Sequence, residues 1–310
     1  MTPSSKTMPN SGTSTVTQPI VFFGTEDFSL YALQALVEAN FPIAAVVTKP
    51  DTKRGRGHAL TEPAVKTYAK KHSIPVWQPQ SLTEIIDDIT ALDTPVGVLV
   101  SYGKIIPESI LQLFTPGIVN VHPSLLPMYR GPSPIEAAIV NRDAKTGVTI
   151  MQLVKAMDAG PIYYQVPYAL DATETRQELY ITLGQLGANI LVQQLPAILD
   201  GTLQPTLQDD SAATYCQLLS KADSKLDLTT TTPGDAEARI RAHLGFPRTR
   251  IQLGDHEVIV TKAHGVMDKK TPLDLVCGNG AFLSIDELIA PSGKTMTGEE
   301  FLRGYQFGRL

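Results

Sequence analysis

Residues 20–48 read Ile-Val-Phe-Phe-Gly-Thr-Glu-Asp-Phe-Ser-Leu-Tyr-Ala-Leu-Gln-Ala-Leu-Val-Glu-Ala-Asn-Phe-Pro-Ile-Ala-Ala-Val-Val-Thr. The run 20–23 is wholly apolar and ends at Gly24, and a second apolar run follows at 43–48. Between them, one broad helical face carries Phe28, Tyr31, Leu33, Leu36 and Val37. Apolar strands without polar alternation are typical of sheets covered on both faces. The segment therefore predicts a strand–helix–strand unit of a parallel sheet.

The same alternation continues outward along the chain. Further apolar runs occupy 96–100, 118–121, 148–153 and 162–166, with helical stretches between several of them. Pro63 predicts the start of another helix, and 175–199 predicts a long one with a kink or an early stop at Pro196. This order predicts an α/β fold with a doubly wound, mostly parallel sheet.

The composition and the predicted secondary structure of the chain change near residue 207. The stretch 200–212 is rich in Gly, Pro, Asp and Ser, and short β-like runs follow at 250–253, 257–262, 273–277 and 282–285. These runs predict a smaller, β-rich, barrel-like second domain. The predicted division is a disordered tail at 1–19, a first domain at 20–206, a linker at 207–215 and a C-terminal domain at 216–310.

Composition limits the classes of function. With 43% hydrophobic and 18% charged residues, the chain has the balance of a soluble globular protein, and no apolar run is long enough to span a membrane. The first 19 residues lack the apolar core of a secretory signal. Cys216 and Cys277 have no metal-ligand spacing. We expect a cytoplasmic protein. Its net charge of −5 disfavours nucleic-acid binding by the whole surface, although a local basic patch remains compatible.

Two polar side chains interrupt the predicted strand 118–122. Asn120 and His122 share one face because strand side chains alternate, and Pro123 places them at the carboxyl end, where open α/β sheets bind ligands. They are either core residues bonded to the backbone or functional groups. As functional groups, they can donate hydrogen bonds to one developing oxyanion, or His122 can move a proton beside a carboxylate.

Asp158 is the candidate carboxylate, although a turn-forming Asp before Gly and Pro is the ordinary alternative. The stiff loop 124–134 holds several prolines and could present its backbone to a flat heterocycle, or could simply pack on its own domain. The sequence lacks the motifs of phosphate-binding loops, zinc proteases and serine hydrolases, so metal-dependent hydrolysis and covalent serine or cysteine catalysis lose support.

Two basic segments could contact a polyanion. The basic arm, residues 49–58, contains Lys53, Arg54 and Arg56, and the stretch 239–250 contains Arg241 among four arginines. Solvated loops are the usual alternative for such charge runs. Residues 215–310 carry 12 basic and 12 acidic side chains, so the second domain is neutral overall.

The sequence Asn-Val-His-Pro-Ser-Leu-Leu-Pro at 120–127 resembles the signature of the 10-formyltetrahydrofolate-dependent formyltransferases. The likeness continues in Tyr-Arg-Gly at 129–131 and Thr-Gly-Val-Thr-Ile-Met at 146–151, and it covers about residues 20–263. Within that superfamily the chain most resembles the branch that acts on methionyl-tRNA. The features shared with that branch are Phe-Gly-Thr-x-x-Phe at 23–28, Thr-Lys-Pro-Asp at 48–51 with Gly-Arg-Gly at 55–57, and the second domain of roughly 100 residues.

The resemblance implies a Rossmann-like formyltransferase fold and direct acyl transfer from 10-formyltetrahydrofolate to methionyl-initiator tRNA, through a tetrahedral intermediate. It assigns catalysis to Asn120, His122 and Asp158. The folate would be cradled by Ser124, Leu125, Leu126 and Pro127, and the tRNA would be contacted by Arg56, Arg54, Lys53 and Arg241. It implies no metal ion and no membrane partner, with a monomer expected.

The chain departs from the family pattern at two places. The sequence also leaves alternatives for the molecule that accepts the formyl group. Glu26 stands where the family usually has Pro, and Gly-Phe-Pro at 245–247 replaces an element like Pro-Trp-Pro. The acceptor could instead be a nucleotide-linked amino sugar or glycinamide ribonucleotide, although enzymes for the latter end near the first domain. The chain could also be a folate-hydrolysing relative or an inactive folate- or RNA-binding module.

Overall fold

In a computed structural model, residues 16–54 and 59–305 are described. The first nine strands are β1 (Ile20–Gly24), β2 (Ile43–Val47), β3 (Thr52–Arg54), β4 (Ala59–Thr61), β5 (Val76–Trp77), β6 (Val96–Val100), β7 (Ile118–His122), β8 (Lys145–Gln152) and β9 (Ile162–Ala169). The helices among them are α1 (Phe28–Glu38), α2 (Ala64–Lys71), α3 (Ile86–Thr90), α4 (Glu108–Leu111), α5 (Pro134–Val140) and α6 (Arg176–Leu199). Most of the predicted tail lies outside the described residues.

Seven of these strands form one sheet in the order β5-β2-β1-β6-β7-β8-β9. The five strands from β5 to β7 are parallel, and β8 runs antiparallel to β7. The strand order reverses at β1, as in doubly wound sheets. This arrangement confirms the predicted mostly parallel α/β fold.

The apolar runs form strands because both faces of the sheet are covered. Every residue of β1 is buried, and Phe23 makes edge contacts with the rings of Tyr102 and Phe114, at centroid distances of 5.7 and 5.8 Å. The long helix α6 confirms the prediction and continues through Pro196 for three residues. Pro63 lies just before α2, as its N-cap residue, rather than inside it.

The C-terminal part contains α7 (Pro233–Ala242), β10 (Arg250–Leu253), β11 (His256–Val266), β12 (Asp274–Val276), β13 (Phe282–Ile289), β14 (Thr295–Thr297) and α8 (Gly298–Gly304). Its antiparallel sheet has the order β10-β11-β13-β12, with β14 also paired to β13. Register shifts between β11 and β13 curve the sheet into a half-barrel. Its core includes Ile240, Leu283 and Phe301. The predicted β-rich, barrel-like region is confirmed.

Contacts within the chain define two compact units. The first contains the described residues as far as His122, together with Thr149–Gln165 and Gly184–Gln208. The second contains Pro123–Val148, Val166–Leu183 and the described residues from Asp209 onward. The division into domains at 207–215 stays a prediction. Across the part of the chain that the structure describes, every helix is too short or too polar to cross a membrane.

Candidate active site

Asn120 and His122 lie at the carboxyl end of β7. Asn120 pairs with Leu99 of β6 and Met151 of β8, and His122 pairs with Thr149 of β8. The two side chains therefore share one face of the sheet, as the period of the strand predicts. Each residue is only 5% exposed. This places an amide and an imidazole side by side in a largely dry environment.

Asp158 lies beside His122, with its Oδ2 atom 3.8 Å from the imidazole Nδ1. β8 runs antiparallel to β7, so Gln152 at its end lies opposite Val119, and the loop 153–161 must return toward His122. The structure thus unites a strand and a loop that sequence spacing alone could not bring together. We call Asn120, His122 and Asp158 the polar corner.

Close backbone contacts shape the loop that carries Asp158. Asp158 itself has a φ of +48°, in the left-handed region. At Gly160 a Cβ atom would lie 1.8 Å from the Gln152 carbonyl oxygen, so only glycine fits. The backbone N–H of Gln152 also donates to the Pro161 carbonyl, at 2.9 Å. The position of the carboxylate therefore depends on this backbone path.

The segment Ser124–Pro127 follows the polar corner directly in the chain. Ser124 and Leu126 are buried, while Leu125 and Pro127 are partly exposed. The Ser124 hydroxyl donates to the Met128 carbonyl at 2.6 Å, and the Leu126–Pro127 peptide bond is cis. The segment is thus a tight turn closed by its own side chain, as its prolines suggest.

The sequence did not predict the contacts of Arg130, which lies three residues after this turn. Arg130 is 2% exposed, and its guanidinium donates to Asp210 at 2.6 Å and to the Tyr215 hydroxyl at 3.3 Å. Its backbone N–H donates to the Thr214 carbonyl. A buried arginine costs stability unless it is paired, and here the partner is supplied by the predicted linker. The position of Arg130 just after the motif 120–127 did not indicate that its partner, Asp210, lies 80 residues further along the chain.

The predicted tRNA-contacting residues lie in different places. Arg56 lies outside the described residues, and Lys53 and Arg54 belong to β3, which pairs with β4 as an antiparallel hairpin. Arg241 lies on α7, where its Nε donates to Glu237 and its Nη1 to the Glu174 carbonyl, both at 2.6 Å. Two of the Arg241 nitrogens are therefore already used within the protein.

Lys66 of α2 ties the two ends of the β3–β4 hairpin together. Its ammonium contacts Asp51, just before β3, at 2.8 Å and Glu62, just after β4, at 3.2 Å. Hydrogen bonds from Lys66 and Gln78 hold the pKa of Asp51 below its usual value. Those from Lys70 and Lys66 lower the pKa of Glu62. The base of the hairpin is therefore fixed by charge, a role the sequence did not reveal.

Comparison with protein families gives a match over more than half of the chain. Residues 18–195 match the family model described as "Formyl transferase". A methionyl-tRNA formyltransferase from Halorhodospira halophila is 38% identical over 299 residues, covering 92% of this chain and 96% of the relative. One from Stutzerimonas stutzeri is 39% identical, covering 91% and 93%.

Solved structures share the fold at much lower identity. An N-formyltransferase from Helicobacter canadensis, in complex with folinic acid and dTDP-3-aminofucose, has a TM-score of 0.66 at 16% identity and covers 86% of this chain and 98% of its own. HypX from Aquifex aeolicus, in complex with tetrahydrofolic acid, has a TM-score of 0.62 at 14% identity, covering 93% and 48%. At such identities the likeness concerns the fold.

Proposed function

The chain belongs to the methionyl-tRNA formyltransferase family, and we propose that it transfers the formyl group of 10-formyltetrahydrofolate to the α-amino group of methionyl-initiator tRNA, for translation initiation. The observation that carries the proposal is the polar corner. An amide and an imidazole lie on one face at the end of β7, and a carboxylate lies 3.8 Å from the imidazole. This is the set of groups that acyl transfer to an amine needs.

Asn120 and His122 act on the oxygen of the formyl group. When the amine attacks, negative charge develops on that oxygen, and two donors fixed on one strand can stabilise it without rearranging. Their burial strengthens this effect because little water competes for the charge. A donor folate supplies the one-carbon group, already activated for transfer.

Asp158 acts on His122 and on the proton of the attacking amine. With protons on both ring nitrogens, the Nδ1–H of His122 faces the Asp158 carboxylate, and the opposite N–H is free to donate to the formyl oxygen. It also accepts the amine proton, directly or through water. The tetrahedral intermediate then collapses: the bond between the formyl carbon and N10 of the folate breaks, and that nitrogen takes up a proton as tetrahydrofolate leaves. No covalent intermediate with the enzyme is needed.

The polar corner fits a folate-type donor in the chemistry of its groups. An amide and a histidine can both face a carbonyl oxygen, and Ser124–Pro127 follows within two residues of His122. We assign this turn to the heterocycle of the folate. Support comes from its closed shape and from the folate compounds bound by the two solved formyltransferase-fold structures.

The tRNA contacts are proposed from charge. Lys53, Arg54 and Arg56 of the basic arm meet phosphates of the acceptor end. Arg241 contributes through Nη2, its remaining guanidinium nitrogen, because Nε and Nη1 donate to Glu237 and Glu174 inside the protein. The C-terminal half-barrel holds the body of the tRNA. We further propose a cytoplasmic, monomeric enzyme that needs no metal ion.

The acceptor is tested by single-turnover formyl transfer with 10-formyltetrahydrofolate as donor. Methionyl-initiator tRNA, methionyl-elongator tRNA and a nucleotide-linked amino sugar are compared under the same conditions. We expect rapid transfer to the initiator alone. Transfer to the sugar nucleotide alone would overturn the proposed acceptor while leaving a role for the polar corner.

A further inference from the structure

The loop carrying Asp158 has little packing of its own. Lys155, Ala156 and Met157 are all exposed, and Met157 keeps 59% of its surface in solvent. Asp158 adopts a left-handed φ of +48°, which is uncommon for residues other than glycine. Because these three side chains are exposed, polar contacts help to fix the path of the turn.

A side chain 50 residues further along the chain supplies such contacts. The Gln208 amide nitrogen donates to the Asp158 carbonyl at 2.8 Å and to the Gly160 carbonyl at 2.7 Å. One amide group therefore uses both hydrogens on two carbonyls of the same turn. The bonds reach the backbone of Asp158 itself, the residue whose carboxylate faces His122.

Gln208 is held in place by a short pairing next to it. Thr206 and Ile162 exchange both backbone hydrogen bonds, each at 2.8 Å, as in an antiparallel bridge. On the other side of the loop, Gly160 and Pro161 rest on the backbone of Gln152. The Asp158 turn is thus held by the backbone of Gln152 and by the Gln208 side chain.

We propose that Gln208 is a positioning residue for formyl transfer, which sets the Asp158 carboxylate against His122 by fixing the backbone of its turn. The proposal rests on the function proposed above. Small displacements of a reacting group have large effects on rate, because transfer needs a near-attack arrangement. The Gln208 amide bonds to backbone carbonyls of the turn, so it acts on the reaction through Asp158.

The test uses Gln208→Glu, which keeps the shape of the side chain and removes both N–H donors. Gln204→Ala is the matched control, since Gln204 lies in the same segment and donates to the Gly201 carbonyl, away from the Asp158 turn. We expect Gln208→Glu to lower the single-turnover rate by about 10- to 100-fold at saturating substrates. The KM values for folate and tRNA should stay within about twofold of wild type, because binding surfaces are intact. Rates equal to wild type, or an effect confined to KM, would overturn the proposal.

A double-mutant cycle separates positioning from a general structural role. In an Asp158→Asn background, Gln208→Glu should add almost no further loss, because it acts through Asp158. Losses that multiply in the double variant would overturn the proposal. Gln208→Ala removes the amide without adding charge, and it should give the same pattern.

Amide hydrogen exchange provides a readout that does not need activity. Exchange in 156–162 should accelerate in Gln208→Glu and stay unchanged in Gln204→Ala. Unchanged exchange in the Gln208 variant would overturn the proposal. If the wild-type enzyme formylates no methionyl-tRNA, the proposed function fails, and the exchange result still decides the role of Gln208.

Discussion

The polar corner and the β3–β4 hairpin are positioned by opposite means. The corner consists of residues on a buried strand and on a turn fixed by neutral hydrogen bonds to backbone carbonyls. The base of the hairpin is instead fixed by an ion pair of Lys66 with two carboxylates. Hydrogen bonds between neutral groups are insensitive to salt, whereas partly exposed ion pairs are screened. We therefore expect the rate of formyl transfer to depend on the residues of the polar corner, and tRNA affinity to depend on salt and on the charges at the base of the hairpin.

The largest expected effect is that of Asp158→Asn. This change keeps the shape and removes the charge beside His122, so turnover should fall by about 100-fold or more. Folate binding, followed by fluorescence titration, should stay near wild type. Asp200→Asn removes an equal charge from an exposed turn and serves as control. Near-normal turnover in Asp158→Asn would remove Asp158 from the mechanism.

Removal of the Lys66 charge should weaken tRNA binding without changing the rate of the chemical step. Lys66→Met frees both ends of the hairpin, so tRNA affinity, measured by filter binding, should fall by about fivefold to tenfold, or roughly 1 kcal/mol. Lys70→Met is the matched control, because Lys70 pairs with Glu62 at one end of the hairpin and is 55% exposed. Similar losses in both variants would mean that net charge, rather than the hairpin, sets affinity.

Salt should separate the two regions in the wild-type enzyme. Raising the salt concentration from about 50 to 200 mM weakens contacts to phosphates and should raise the KM for tRNA severalfold. The single-turnover rate at saturating tRNA should change by less than about twofold, because the corner is buried. A rate that falls with salt at saturation would show that charges outside the corner control the chemical step.

Acid should loosen the base of the hairpin, which is the smallest effect expected. The pKa values of Asp51 and Glu62 are lowered from 3.8 and 4.5 by their lysine partners. Their ions thus stabilise the fold above those values, and the contribution is lost as pH falls through the lower folded values. Pepsin cleavage within 52–61, normalised to an unstructured peptide, should increase from pH 5 to pH 3. In Lys66→Met it should already be high at pH 5.

The sequence predicted what local pattern controls. The apolar runs correctly predicted strands β1, β2, β6 and β7. The period of the strand also predicted that Asn120 and His122 share one face of β7. The ends of helices were predicted less accurately: Pro63 was predicted to begin a helix, and in the structure it is the residue just before α2. Asp158 was a candidate carboxylate on its turn, and the family resemblance assigned it to catalysis, but sequence spacing could not place it beside His122.

The partners that fix the site were beyond sequence reasoning. Gln208 lies 50 residues from Asp158, and Arg130 lies 80 residues from Asp210. Each partner has an ordinary polar residue type within a polar segment, so no periodicity marks it. Only the folded chain shows that Lys66 faces two carboxylates at once. Long-range polar contacts depend on topology, which composition and spacing do not encode locally.

The central claim is that the polar corner sets the rate of transfer and the hairpin sets the capture of tRNA. It is tested most directly by the single-turnover rate as a function of tRNA concentration, for wild type, Asp158→Asn and Lys66→Met. We predict that Asp158→Asn lowers only the plateau and that Lys66→Met raises only the half-saturating concentration. Plateau and half-saturation changing together in either variant would contradict the account.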